Sequence, residues 1–179
     1  YSEYGFMSRE KGVRERFFRN IIRNKHLSVV EHIVFYIEIE GVSRFTLNQL
    51  VRHRIASYTQ QSQRYTKTKL EYYIPSSIKE NDCIMSEYKE AVEKIYETYT
   101  KFIKEYKIPK EDARCLLPIS MLSNISMTIN LRSLINFFEL RTDNHAQKEI
   151  RDLAKLIAKK LKEKYPIIIN ELEDSSIIK

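Results

Sequence analysis

Arg52-His53-Arg54-Ile55-Ala56-Ser57-Tyr58-Thr59-Gln60-Gln61-Ser62-Gln63-Arg64-Tyr65 is the stretch on which the reading of this chain turns. Two arginines flank a histidine, and nearly every side chain that follows can hydrogen-bond; only Ile55 and Ala56 are plainly apolar. Burying such a run without partners would cost roughly 2–7 kcal/mol per polar group on transfer scales, so it is no ordinary core element. A solvated basic loop is one reading, because charge runs are usually wet surface. An anion site is the other. Phe45, Leu50 and Val51 are expected to form the buried face of a helix that carries Arg52 to its C-terminus. A cation there suits the helix dipole and projects from a rigid support.

Composition narrows the field. A chain of 179 residues suits one domain with a real core. Hydrophobic residues make up 42%, and 3 Gly with 4 Pro leave little for linkers, which favours a folded, helix-rich protein. The net charge of +7 makes an anionic partner plausible; nucleic acid, nucleotides and acidic membranes all qualify on charge alone. Cys83 and Cys115 have neither disulfide-framework nor zinc spacing. No metal site is expected. No signal peptide or bilayer-spanning stretch is visible, so a cytoplasmic protein without a membrane partner is the expectation.

Three blocks carry a family resemblance. Arg52-His53-Arg54, seven intervening residues, then Ser62 with Arg64-Tyr65 close behind, resembles the signature of the flavin-dependent thymidylate synthases. Glu31-His32 before an apolar strand is similar to the same family, as is Asn130-Leu131-Arg132-Ser133-Leu134, Asn136-Phe137, Leu140-Arg141 and His145-Ala146-Gln147. The blocks stand in the family's order across about residues 26 to 147. The resemblance implies an α+β single domain over 1–179, with a central, mostly antiparallel sheet flanked by long helices. The family's N-terminal strand segment would precede Tyr1. It also implies reductive methylation of dUMP to dTMP, with methylenetetrahydrofolate as carbon donor and FADH2, reduced by NADPH, as hydride donor. Members are homotetramers with shared sites, and no nucleic-acid partner is expected.

Site residues follow from the resemblance one by one. Gln49, Arg52, Gln60, Gln61, Ser62, Gln63, Arg64, Arg114 and Arg141 would bind dUMP. Arginine suits the phosphate because its planar fork donates two parallel hydrogen bonds. Arg141 would also be catalytic, stabilising negative charge at the uracil N3–C4–O4 edge so that C5 becomes a better nucleophile; on sequence alone it could equally satisfy carbonyls at a helix C-terminus. Ser28, Glu31, Arg52, His53, Arg54, Ile55, Gln60, Asn130, Arg132, Asn136 and His145 would contact FAD, with His26 at the folate rim. Three glycines allow no Gly-rich dinucleotide loop, so side chains must hold the flavin. Ser62 lacks the adjacent base and orienting group that a nucleophile needs and is read as a hydrogen-bond donor. Neither cysteine lies in the matched blocks. The family usually carries Asn-Glu where this chain has Thr59-Gln60, which predicts altered substrate affinity or discrimination.

Along the chain, Ser8 is expected to cap a helix to about Lys25, with Val13, Phe17, Ile21 and Ile22 inward. Ser28…Glu31 has capping-box spacing, a second reading for Ser28. A strand alternates from Ile33 to Glu40 and ends at Gly41; Ser43 caps the next helix. Leu70–Ile74 reads as a short strand before a polar loop over 76–83. A helix from Ser86 to Tyr106 packs its tyrosines with Val92 and Ile95. Lys110–Leu116 is a short helix and Ile119–Ile129 is extended. Asn130 begins a helix to Arg141, and Asp143 caps another to Tyr165, broken by Pro166 before a short docking segment, Pro166–Lys179, with a frayed end. The rival from another class is a basic helical nucleic-acid-binding domain, favoured by charge, 12 Tyr and the arginine-rich first helix. A non-catalytic flavin- or nucleotide-binding relative is the third reading.

Overall fold

Ser123, Ile125, Met127 and Ile129 alternate with polar residues along strand β3 (Leu122–Asn130), and all four are buried. That period of two gives the strand one dry face. β3 is the middle strand of an antiparallel sheet ordered β1–β3–β2, with β1 at Val34–Ser43 and β2 at Ala56–Gln60. β1 buries Phe35 and Ile39 and exposes Val34, Tyr36, Glu38 and Glu40, as its sequence alternation predicts. The structure is a computed structural model that describes residues 11–63 and 69–179. The expected Ser8 cap and the site residue Arg64 lie outside the described residues.

The chain forms two compact units: the described residues up to Tyr36 with His53–Ser57 and Thr128–Lys179, and Ile37–Arg52 with Tyr58–Met127. In the first, helix α1 (Lys11–Arg23) buries Ile21 and Ile22, whereas Val13 and Phe17 are exposed, against expectation. The inward stripe is simply shorter than the apolar stripe of the sequence. α1 stops where Lys25 turns left-handed (φ 57°). The Lys25 N–H then reaches the Ile22 carbonyl at 3.1 Å and the His26 N–H the Ile21 carbonyl at 2.9 Å, a Schellman ending. A 3-10 turn, Val29–His32, follows. The Ser28 side chain makes no cap hydrogen bond, so the capping box does not form; Ser28 is itself helical (φ −60°, ψ −32°) rather than extended.

Later elements complete this unit. Of the helices α6 (Leu131–Arg141), α7 (Lys148–Lys164) and α8 (Pro166–Asp174), the last lies against both α7 and α1. Asn130 caps α6 through the Ser133 N–H at 2.9 Å, and Leu131, Leu134, Ile135, Phe137 and Phe138 are buried. Gln147, not Asp143, caps α7, accepting from the Ile150 N–H at 3.2 Å. Asp143 is engaged instead by the His145 backbone and ring and by Lys179 Nζ. The docking segment expected after Pro166 is helix α8. Pro166 suits its first position, where no N–H is needed, and Ile169 and Leu172 are fully buried.

In the second unit β1 runs on through Gly41 to Ser43 instead of ending at the glycine. Gly41 takes φ +67°, a left-handed value that glycine adopts without strain, and its N–H reaches Asn124 Oδ1 at 3.0 Å. Ser43 caps α2 (Arg44–Leu50), as expected, through the Thr46 N–H at 3.1 Å. Thr46, Leu47 and Leu50 form its buried face, while Phe45 and Val51 lie off that face and are exposed. Tyr58 donates its hydroxyl to the Leu50 carbonyl at 3.0 Å, tying β2 to the end of α2. Where a strand was expected at Leu70–Ile74 there is one antiparallel bridge, Tyr72 to Met121. After the turn α3 (Ser76–Lys79), α4 (Asp82–Lys104) starts earlier than read, because Asn81 Oδ1 caps it through Cys83 and Ile84. α5 (Lys110–Ala113) tightens into a 3-10 turn, Arg114–Leu116. Among the described residues no helix is long and apolar enough to cross a membrane.

Glu171 is a charged residue on the buried side of α8. It is 4% exposed and receives Arg19 Nε at 3.2 Å and Arg23 Nε at 2.7 Å, whose side chains are 50% and 56% exposed. The asymmetry predicts unequal losses. Removing both arginines as alanines strands a buried carboxylate and should cost about 3 kcal/mol. Glu171→Gln leaves two guanidiniums half in water and should cost roughly 1–2 kcal/mol. Urea unfolding of the three proteins checks this; equal losses would contradict it.

Candidate active site

Phe137 and Arg141 stand four residues apart on α6 and so share one face of the helix. His53 meets both. Its ring lies edge-on to Phe137, with centroids 5.1 Å apart and planes at 77°. Its Nε2 accepts the Nε–H of Arg141 at 3.0 Å. An acceptor nitrogen cannot carry a proton, so this contact needs a neutral imidazole with its hydrogen on Nδ1. Burial first, and the Arg141 charge second, push the His53 pKa down to about 4. The first and third sequence blocks therefore meet at this contact.

Other residues expected around a flavin also fall in the first unit, but not all are brought together. Glu31 and Arg132 form an ion pair between two exposed side chains. Arg132 is thus partly neutralised before any anion arrives. Asn130 spends its Oδ1 on capping α6. His145 is 99% exposed, tethered through Nδ1 to Asp143 Oδ1 at 2.7 Å. Lys179 foremost, then the His145 backbone and ring, hold the Asp143 carboxyl well below the usual carboxylate range. His26, Ser28, Arg54, Ile55 and Asn136 are exposed.

The expected nucleotide residues of the second unit are Gln49, Arg52, Gln60, Gln61, Ser62, Gln63 and Arg114. Gln49 is half-buried on the last turn of α2, and Arg52 is exposed just beyond it. The Gln61 N–H reaches the Asn124 carbonyl at 2.9 Å, and Gln61 lines a shallow cavity of about 280 Å³ with Glu38, Glu40, Thr59, Asn124 and Ser126. Gln60 is exposed at the end of β2, and Ser62 is half-buried. Gln63 is 8% exposed, and its Nε2 has no hydrogen-bond partner among the described residues. Arg114 donates Nε to the Glu111 carbonyl at 3.1 Å. Beside it is a residue the sequence reading missed. Burial, then the charge of Arg114, hold the Arg44 guanidinium below its ordinary value. The available signal was a cation in the first turn of a helix, where the dipole disfavours it. Cys83 and Cys115 are both exposed, Cys115 despite its apolar neighbours. Among the described residues no group of three or more His, Cys, Asp or Glu is placed to hold a metal ion.

The state of His53 has a pH signature. A histidine ordinarily titrates near 6.5, and folded His53 near 4. Between those values the unfolded chain binds the extra proton, so acid favours unfolding. The contribution is complete above about pH 6.5 and is lost as pH falls towards 4. Denaturant unfolding across that window should show stability declining with acid, and less steeply in His53→Phe; identical slopes would contradict the buried neutral ring.

Comparison with known proteins supports the family resemblance. A family model described as thymidylate synthase complementing protein matches residues 2–167. The chain is similar to proteins named flavin-dependent thymidylate synthase from several organisms. It is 40% identical to that of Sulfurisphaera tokodaii over 169 residues, covering 92% of this chain and 64% of the relative. Identity to that of Saccharolobus solfataricus is 42% over 170 residues, covering 92% and 63%. To that of Pyrococcus horikoshii it is 47% over 156 residues, covering 83% and 64%. The chain spans a little under two thirds of the length of these relatives. With the match extending over nearly all of its length, the chain belongs to the thymidylate synthase complementing protein family.

Proposed function

We propose that the protein is an FAD-dependent thymidylate synthase. This methyltransferase converts dUMP to dTMP by reductive methylation, with methylenetetrahydrofolate as carbon donor and NADPH as the reductant of the flavin. The names of its relatives support this reading. The observation that carries it is the Arg141–His53 hydrogen bond at 3.0 Å. A guanidinium fixed there is a preorganised donor for the negative charge that develops on the uracil edge. Losing one such donor typically costs about 10²–10³ in rate.

In this reading Arg52, Arg64 and Arg114 bind the nucleotide phosphate, and Gln49 and Gln60–Gln63 supply hydrogen bonds to the rest of dUMP. The donor chemistry of the exposed set fits a flavin dinucleotide. Arg52 and Arg54 offer cations to its diphosphate, and Ser28, Asn136 and His145 offer hydrogen-bonding groups. Glu31 would hold Arg132 in place, and Asn130 would act through its backbone or its remaining amide donors. Bound FAD would supply the hydride that completes the methyl group. His26 would face folate. The reading takes residues 1–179 as one domain, assembled as a cytoplasmic homotetramer whose sites draw on several subunits, with no nucleic-acid or membrane partner.

An absorption spectrum of the purified protein, repeated without oxygen after NADPH and dUMP are added, tests it. The expected result is a flavin band that bleaches with NADPH and shifts with dUMP, followed by dTMP formation once methylenetetrahydrofolate is present. A protein that takes up no added FAD contradicts the reading, and one that binds FAD without making dTMP is a non-catalytic relative. Gln60→Glu, restoring the family's usual charge, should change the KM for dUMP severalfold; an unchanged KM would show that Gln60 lies away from the nucleotide.

A further inference from the structure

Taking the Nε–H of an arginine, at the nitrogen nearest the chain, restricts rotation of its planar guanidinium. In α6 that hydrogen goes to His53 Nε2 at 3.0 Å. The imidazole is itself held, edge-on to Phe137, whose ring is fully buried. One ring therefore bridges two residues a helical turn apart, one serving as its support and the other as its load. We propose that His53 is the positioning residue of Arg141, fixing the plane in which the guanidinium meets the uracil edge. This rests on the role given to Arg141 above and assigns His53 a task other than flavin contact.

The arrangement works only with a neutral ring. A protonated imidazole has no lone pair at Nε2 and repels the arginine. Arg141 from α6 bears on His53 with its charge, Arg52 and Arg54 are its chain neighbours, and Phe137 is uncharged. Burial and Arg141 lower its pKa to about 4, so the bond persists through neutral and mildly acidic pH.

Two substitutions separate acceptor from packing. His53→Phe keeps a ring against Phe137 and removes the acceptor, whereas His53→Gln restores an acceptor oxygen. The whole chain is assayed with saturating FAD, NADPH and methylenetetrahydrofolate, varying dUMP and pH, with flavin absorbance recorded throughout. The expected result for His53→Phe is full flavin occupancy and a kcat reduced about 100-fold, the usual size for a misplaced transition-state donor. The KM for dUMP should change far less, and His53→Gln should recover much of the loss. Arg141→Lys, which has no Nε–H, should fall similarly, and the double variant no further, since residues acting as a unit are not additive. Nitrogen NMR of the wild type should show an Nδ1–H tautomer that stays neutral until about pH 4. An unimpaired His53→Phe, a kcat loss that tracks lost flavin absorbance, or a ring titrating near 6.5 would each overturn the proposal. Wild-type protein that makes no dTMP sinks the proposed function instead, a failure distinct from wild-type turnover with an unimpaired variant.

Discussion

Leu131, Leu134, Ile135, Phe137 and Phe138 leave α6 no freedom to roll. Advancing the helix by one position would turn it by about 100° and bring large apolar groups to water. Each costs about 1.5–3 kcal/mol to expose. Asn130 pins the start of the helix by capping it, and the Leu131 N–H reaches the Ile33 carbonyl at 2.8 Å, so the register cannot slide either. Arg141, the last residue of α6, consequently leaves the helix on the face of Phe137. The position of the candidate catalytic guanidinium is a consequence of core packing one turn away.

Cations held near one another favour an anion that relieves them, and each unit of the chain carries such a place. In the first, His53 stays neutral beside Arg141, which keeps a fourth positive charge out of a segment already holding Arg54 and preceded by Arg52. In the second, burial and then the charge of Arg114 disfavour the charge on Arg44. Contrast Arg19 and Arg23, which share the buried carboxylate of Glu171 and are structural. The same residue type serves two purposes, and what separates them is whether the protein itself supplies the counter-charge.

β1, the end of β3 and α6 were legible because their signals are local, whereas β2, inside the polar run after Arg54, was not read as a strand. Alternation in β1 and near the end of β3, Ser43 as a cap, Asn130 as the start of α6, and the apolar stripe of α6 all act within a few residues. Phe45, Val51, Val13 and Phe17 were misplaced because apolar character does not reveal which of two apolar flanks the core will take. Asp143 was read as the cap of α7 on residue type, but Lys179 and His145, distant or exposed, engage it instead. The pairs Glu31–Arg132, Arg19–Glu171 and His53–Arg141 join residues far apart in sequence and leave no local trace. Family resemblance named most of these residues for ligands; it did not show that some are partners of each other.

A crystal structure of the protein at neutral pH, with dUMP bound, tests the central claim most directly. The account predicts Arg141 Nε within hydrogen-bonding distance of His53 Nε2, the imidazole edge-on to Phe137, and the guanidinium facing the uracil ring. An imidazole turned away from α6, with Arg141 engaged elsewhere while dUMP is bound, would contradict it.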